Sequence, residues 1–433
     1  MILFRSIRRA TTDRPRQAEN ANCGNRKENF MSSTIIARPA LRAALATVCG
    51  VAEKRNTIPI LANALLRANA EGGLSIIATD MDLMATVSLD ATTDAGFAAT
   101  IPAHALRDLE KKAPATGHVA IDALIEKTTR RATADERREA GVNPGDVFEV
   151  ACEDCTAALD FEGLRMTIPG LPVADFPELR IEGEIKASFS IPSAALREAF
   201  EAVQFAISTE ETRYYLNGIF MEARQGKLRF VATDGHRMAV HDVDIEGAGL
   251  DYGVIIPRKT VAFLLSIVKA KGAAESVDVL INTVKARFTV GHVDVITKLI
   301  DGTYPDYQRV MPARNPNLVI VNRKAFTEAV NAVSAMSSER GRAVKLTFSD
   351  LNGGNLHLIV TNPDLGKAEM SIPCDYSGPC LELGVNAAYL TTILKASDHE
   401  TVAVALADPG SPILMADDHG SVATRYVQMP MRV

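Results

Sequence analysis

Residues 226–238 read GKLRFVATDGHRM, and the same outline occurs twice more, as GGLSIIATDMDLM at 72–84 and GNLHLIVTNPDLG at 354–366. Each copy has a glycine turn, an alternating apolar run that makes a half-buried strand, and then Thr-Asp or Thr-Asn. The preceding segments LANALLRANA, YLNGIFMEAR and AVKLTFSDLN also match, so each copy reads as a hairpin. Upstream lie ARPALRAALATV (37–48), PSAALREAFEAV (192–203) and NRKAFTEAVNAV (322–333). Downstream lie PAHALRDLEKKA (102–113), PRKTVAFLLSIVKA (257–270) and NAAYLTTILKAS (386–397). All six place apolar residues at three- and four-residue steps, and Pro or Asn opens most of them, as helix starts prefer. Helix, strands, helix, strands therefore occurs three times. An α+β chain of three like domains is expected, each with two helices packed on antiparallel sheets. The domains are placed at 32–184, 185–312 and 313–433, with 1–31 outside the fold.

Spacing tests the repeat. Thr79 to Thr233 is 154 residues and Thr233 to Thr361 is 128, so the first copy is longer by 26. Residues 125–150, IEKTTRRATADERREAGVNPGDVFEV, account for that excess. This charged insertion is expected to be a solvated surface loop with a helical TADERREA. Residues 1–30 carry seven basic and three acidic residues without apolar periodicity. They read as a disordered extension, an Arg-rich targeting segment, or sequence upstream of a start at Met31. The apolar ILF is too short for a signal-peptide core.

The chain has 433 residues, 47% of them hydrophobic and 23% charged, an ordinary globular composition large enough for two to four domains. No apolar run approaches the roughly 20 residues that span a bilayer, so a soluble, cytoplasmic protein without membrane contact is expected. Of six cysteines, only Cys152 and Cys155 have zinc-like spacing, whereas Cys374 and Cys380 do not. No metal and no cofactor are expected. The net charge of −6 argues against a protein that coats nucleic acid by bulk charge. Sorted by element the picture changes: the helical segments taken with their flanks, 37–55, 102–113, 192–208, 257–272, 322–340 and 386–398, sum to +8, and everything else beyond residue 30 sums to −18. Basic helices inside an acidic shell favour phosphate locally.

Thr-Asp or its near match recurs in every copy, so it belongs to the scaffold, where it can bond back to its own turn. Gly235, His236 and Arg237 occur only in the second copy and mark a site added to the fold. Two readings compete. In one, Asp234 orients His236 as the general base of a hydrolase; in the other the stretch is a binding surface. No glycine-rich phosphate loop and no G-x-S-x-G elbow accompanies the dyad. His236 and His241, five apart in a strand, face opposite sides. The repeat also breaks at DGTYPDYQRVMP (301–312) and at the terminal YVQMPMRV (426–433). That methionine-rich end either completes a sheet or forms an adaptable partner surface.

The motifs RYYLNG (213–218), VATDGHRMAV (231–240), TYPDYQRV (303–310) and MPMRV (429–433) closely resemble the beta sliding clamp of bacterial DNA polymerase III, in order and from about residue 34 onward. The resemblance implies three clamp domains per chain and a head-to-tail homodimeric ring around double-stranded DNA. It implies no catalytic activity, but a tether for the replicative polymerase, the clamp loader and other proteins with a clamp-binding motif. A clamp paralogue serving a plasmid or phage fits the same residues. By resemblance, a peptide cleft between domains two and three is formed by Leu216, Thr233, Gly235, His236, Arg237, Met238, Pro305, Arg309, Val310, Val427, Met429, Pro430, Met431, Arg432 and Val433, flanked by Asn386, Tyr389 and Pro412. The arginines are expected to offer aliphatic stems as walls and guanidiniums as rim donors. Arg55 matches a DNA-contacting residue, and Lys54, Arg258, Lys259, Lys269, Lys271 and Arg323 join it from their helix positions. Met166 and Ile168 are expected to face Ala335 and Met336 of the other chain.

Overall fold

The computed structural model describes residues 28–114, 117–131, 149–245, 249–250, 252–312, 314–337, 343–350, 354–417 and 423–432. The helices Arg38–Val48, Ala103–Lys112, Ser193–Val203, Arg258–Val268, Arg323–Ser334 and Ala387–Ala396 fall where the periodicity puts them. Each buries an apolar stripe, as Leu41, Ala44, Leu45 and Val48 do in the first. Pro102, Pro192 and Pro257 stand immediately before their helices, where a missing N–H is harmless. Asn322 and Asn386 replace them in the third repeat and cap with their side chains. Their Oδ1 atoms accept from the Ala325 amide at 3.0 Å and the Ala388 amide at 2.9 Å. None of these helices is long and apolar enough to cross a membrane.

The described strands form three antiparallel sheets of five, eight and twelve strands. The two larger ones cross domain boundaries. Val293–Lys298, the last strand of the second repeat, pairs with Leu83–Leu89 of the first, with Val295 opposite Ala85. Thr424–Gln428, the last strand of the third repeat, pairs with Arg237–Asp244 of the second, with Tyr426 opposite Ala239. Main-chain hydrogen bonds therefore join the domains, in the same way at both joints. The Thr-Asp turn keeps each receiving strand in place. Thr79 Oγ1 accepts from the Met81 amide at 3.0 Å, and Asp80 Oδ1 accepts from the Asp82 and Leu83 amides at 2.9 and 2.7 Å. The second copy repeats the arrangement, and in the third Asn362 Oδ1 accepts from the Asp364 amide at 3.0 Å. The side chains do what the backbone cannot in so tight a bend.

Two expectations change. The insertion at 125–150 is not simply a loop: its first seven residues and last two continue the strands His118–Arg131 and Glu149–Phe161 in register, up to Arg131 opposite Glu149. An unbroken antiparallel ladder satisfies those backbone groups as a loop could not. TADERREA lies outside the described residues. Residues 28–31, set aside with the extension, belong to the strand Glu28–Ala37 and pair with Leu124–Lys127. Cys152 and Cys155 sit in the same continuous ladder, where a zinc knuckle would need a turn.

The first domain carries a buried ion pair between its helices. Glu110 is 0% exposed; Arg38 Nε donates to its Oε1 at 2.9 Å, and Arg42 reaches the same oxygen at 2.9 Å. Arg38 also donates to the carbonyls of Glu110 and Ala113, at 2.7 and 2.9 Å. Burial opposes ionisation of Glu110, but hydrogen bonds from Arg42 and Arg38 outweigh it and hold the carboxyl below the usual range. Removing the anion leaves a buried guanidinium with carbonyl partners only. Glu110→Ala should destabilise the first domain by about 3 kcal/mol, read as an earlier first transition in calorimetry with the remaining transitions unmoved.

Candidate partner-binding cleft and DNA-facing helices

The turn of the second repeat is built from Thr233 to Arg237. Thr233 Oγ1 accepts from the Gly235 amide at 3.1 Å and donates to the Arg237 carbonyl at 2.7 Å. Asp234 Oδ1 accepts from the amides of His236 and Arg237 at 2.9 and 3.0 Å, and its Oδ2 from Arg237 Nε at 3.0 Å. Gly235 has φ +89°, a left-handed conformation that a side chain would strain. A Cβ there would also stand 2.5 Å from Arg213 Nη1, and Arg213 Nη2 donates to the Asp234 carbonyl at 3.0 Å. Both carboxylate oxygens of Asp234 are thus engaged by its own turn, and the hydrolase dyad is not formed. The His236 ring instead stacks on Tyr389, 5.9 Å between centroids and 19° apart.

Arg237 departs from the rim-donor expectation. Its side chain is only 14% exposed. It donates to Asp234, to the Phe205 carbonyl at 2.8 Å and to Thr392 Oγ1 on the helix Ala387–Ala396. Its guanidinium carbon lies 4.6 Å from the centroid of the Tyr389 ring and 5.2 Å from that of Phe205. Arg237 is a joint between domains two and three. Arg309 does sit at the rim, exposed and 3.0 Å from Asp306, beside exposed Pro305 and Val310.

Beneath the turn is a separate apolar cluster. Leu216, Val231, Met238, Val240, Ile255 and Val427 pack there with Tyr304 and Tyr307 of the connecting segment. Phe220 stacks on Tyr304 at 4.6 Å. The C-terminal tail runs over this floor: the Met429 amide donates to the His236 carbonyl and the Met431 amide to the Gly384 carbonyl, both at 2.9 Å. Met429 and Arg432 are exposed, while Pro430, Met431, Asn386 and Tyr389 are partly buried. The Pro412 carbonyl accepts from Asn315 Nδ2 at 3.1 Å, in the connection between the domains. Val433 lies outside the described residues. About 190 residues of chain separate the turn from the tail, yet strand pairing brings them together.

A polar network behind that cluster was not foreseen from the residues alone. Arg229 grips Asp242 with two bonds, at 2.6 and 2.8 Å, and Arg425 of the last strand donates to the same carboxylate. Tyr307 donates to Glu222 Oε1 at 2.5 Å and accepts from Arg229 Nη1 at 3.4 Å. Burial pushes the Tyr307 phenol up, with the Glu222 bond acting in the same direction and Arg229 opposing. The only available signal was that Arg229 and Asp242 alternate with apolar residues on paired strands, which does not distinguish a buried ion pair from a solvated one.

The DNA candidates divide. Arg258 is exposed at the start of its helix and Lys271 in the turn that follows it, whereas Lys54 and Arg55 are exposed in the loop after Arg38–Val48 and not on the helix where the sequence placed them. Lys259 is paired with Asp80 of the first domain's turn, and Lys269 with Glu201 at 2.5 Å. Arg323 donates to the His399 carbonyl at 2.5 Å and the Leu394 carbonyl at 3.3 Å, and so ties the two helices of its own domain together. Helix position alone could not separate these roles, because an arginine at a helix start is within reach of both phosphate and a neighbouring helix end. Of the interface candidates, Ala335 is exposed and Met336 and Met166 are half-buried. Ile168, at 7% exposure, already serves the first domain's core.

Three models of the DNA polymerase III beta subunit match in sequence order: its N-terminal domain over residues 32–180, its central domain over 190–306 and its C-terminal domain over 308–432. The chain belongs to the beta sliding clamp family. The beta sliding clamp of Caulobacter vibrioides (strain NA1000 / CB15N) is 36% identical over 405 residues, 92% of this chain and 99% of that protein. That of Escherichia coli (strain K12) is 31% identical over 400 residues, again 92% and 99%. The crystal structure of the Bartonella birtlesii sliding clamp bound to griselimycin is similar with a TM-score of 0.78 at 36% identity, covering 93% of this chain and all of that one. The Pseudomonas aeruginosa beta subunit gives a TM-score of 0.79 at 31% identity, with the same coverage.

The geometry separates the two residues that sequence grouped. Arg237→Ala should cost about 2 kcal/mol, because charge-assisted bonds and a cross-domain contact are lost together. His236→Ala should leave the melting temperature within about a degree. Paired thermal melts of the two variants check this.

Proposed function

We propose that this clamp closes as a head-to-tail ring of two chains around duplex DNA, and that it holds partner proteins by a short peptide in the cleft between its second and third domains. One observation carries the ring. Inside the chain, each domain's last strand is received by the strand after the braced turn of the domain before it. Two strands are left over: Leu164–Pro169, the last of the first domain and an edge of its sheet, and Gly366–Asp375, the receiving strand of the third. Among the described residues, the outer edge of the latter is paired only at Cys374 and Asp375. A head-to-tail contact that repeats this joint once more between copies closes a ring of two.

The repeat also gives the register. The hairpin pairs Phe161 opposite Leu164 and Val290 opposite Val293 are equivalent, so Met166 takes the place of Val295. The third turn is one residue longer than the others, since Thr361 faces Lys367 where Thr79 faces Met84 and Thr233 faces Met238. Ala368 thus takes the place of Ala85 and Ala239. The ladder between copies then sets Met166 opposite Ala368, Arg165 opposite Glu369 and Leu164 opposite Met370. Leu164 and Met370 are large apolar residues left 40% and 39% exposed in the single chain. Ile168 comes opposite Gly366, with the Met336 methyl 4.0 Å from the point a Cβ on Gly366 would reach.

The cleft offers an apolar floor with an adaptable methionine edge, suited to peptides that differ in sequence. Exposed Lys54, Arg55, Arg258 and Lys271 suit contact with phosphates without reading bases, as a sliding protein needs. The role asked of the chain is mechanical, a tether for the replicative polymerase, the clamp loader and similar partners. No step of it requires a metal, a cofactor or a catalytic residue.

Two measurements test the two halves. Arg165→Glu should raise the dimer dissociation constant at least about tenfold, and adding Glu369→Arg should restore much of the loss, because opposite charges facing each other across a strand pair stabilise it and like charges oppose it. Sedimentation equilibrium reads both; a double variant as weak as the single one contradicts the register. For the cleft, deleting Met429 to Val433 should abolish binding of a Gln-Leu-x-Leu-Phe peptide in fluorescence polarisation while the dimer persists. His236→Ala should weaken the peptide only severalfold, as rim contacts do. Full binding by the truncated chain would move the cleft elsewhere.

A further inference from the structure

We infer that the uncovered strand edge at 149–155, in the first domain's lengthened ladder, reaches across the seam of the ring and docks on a second copy of this chain. The inference rests on the ring reading and adds to it a contact surface outside the matched family domains. Its first support is what hairpin tips do at the two joints within the chain. In the second domain, at the tip between Ser276–Ile281 and Lys285–Val290, Asn282 Nδ2 donates to the Glu182 carbonyl at 2.8 Å and Lys285 Nζ to the Arg180 carbonyl at 2.7 Å. In the third domain, around the hairpin Thr401–Leu406 and Ile413–Asp417, the carbonyls of Ala405, Ala407 and Pro412 accept from Asn315 and Asn317 at 2.8 to 3.3 Å. Each tip abuts the covalent connection that arrives from the preceding domain.

The equivalent hairpin of the first domain is His118–Arg131 with Glu149–Phe161. It has twelve paired positions, against four in each of the other two hairpins. Glu28–Met31 adds a third strand along it, just before the N-terminal family match begins at residue 32. The neighbouring strand Leu164–Pro169 stops at Pro169 opposite Thr156, so residues 149–155 run on beyond it. Among the described residues no strand covers their outer edge. An uncovered edge of this kind is a ready template for another backbone.

The first domain differs from the other two in one respect: no peptide connects it to the domain before it in the ring, which is the third domain of the second copy. The longest hairpin therefore stands at the joint that lacks a covalent linker. The register of the seam fixes the direction. Followed past Ile168 opposite Gly366, it leads to the turn at 361–365, where Leu365 is 61% exposed in the single chain, the highest value among the large apolar residues described. The backbone of 149–155 extends the same way. The hairpin thus takes up at the seam the place that linkers fill at the internal joints.

The test uses the full chain. Replacing residues 128–152 with Asn-Gly rejoins Lys127 to Glu153 through a two-residue hairpin turn. The dimer dissociation constant should rise about tenfold or more while the melting of the second and third domains is unchanged. A constant within twofold of the unaltered chain overturns the inference. Hydrogen exchange gives a second readout that needs no deletion: amides of 149–155 should exchange more slowly in the dimer than in Arg165→Glu diluted below its dimer dissociation constant, and equal rates would overturn the inference too. Failure of the ring reading looks different, since the unaltered chain would then stay monomeric at tens of micromolar.

Discussion

The structure depends on an antiparallel ladder made between domains rather than within them. Strand hydrogen bonds are directional and register-bound, so a joint built from them fixes angle as well as contact. The ladder Val293–Lys298 to Leu83–Leu89 fixes domain two on domain one, and Thr424–Gln428 to Arg237–Asp244 fixes domain three on domain two. Two like joints apply the same operation twice, and a third between copies closes a ring when its rotation completes the turn. Everything distinctive in the chain is arranged around these joints: the braced turns that position the receiving strands, the linkers that cross behind them, and the aromatic and apolar clusters that fill the corner between.

The corner proposed as the peptide cleft is a by-product of the second joint. Because Thr424–Gln428 is held against Arg237–Asp244, the residues that follow it must leave the sheet beside the turn at 233–237. The chain uses that constraint to bring Met429 against His236 and Met431 against Gly384. Arg237 secures the corner by bonding across to Thr392 while lying on Tyr389. The first joint has the same layout, with Asp80 paired to Lys259, but Met81 stands where Gly235 stands in the second, and no chain terminus leaves beside it. A common joint with different corner residues explains why one turn of three was marked as a site.

Much of this was legible in the sequence, for physical reasons. Helices and hairpins show as periodicities of 3.6 and 2, and a threefold repeat lets weak signals support one another. The spare 26 residues showed where the first repeat departs, but not that 125–131 and 149–150 lengthen its strands, because a run rich in charge reads as a loop. Arg237 was read as a rim donor and lies instead at the joint between two domains: a guanidinium is drawn equally to water, to a carbonyl or to an aromatic face, and only the fold decides which is near. The partners of Lys259, Lys269 and Arg323 within the fold were hidden for the same reason. The Arg229–Asp242–Arg425 network was missed because its members are far apart in sequence and meet only through the ladder.

If the joint is truly repeated between copies, its register can be trapped chemically. Leu164→Cys with Met370→Cys, in a chain carrying Cys380→Ser, places two thiols opposite each other across the seam, at a separation that facing strand positions and disulfide geometry share. Mild oxidation should convert the chain to a covalent dimer on a non-reducing gel, and moving the second cysteine to Ser371 should largely prevent it. A chain that stays monomeric under oxidation, or that links equally well from either position, would contradict the ladder on which the ring depends.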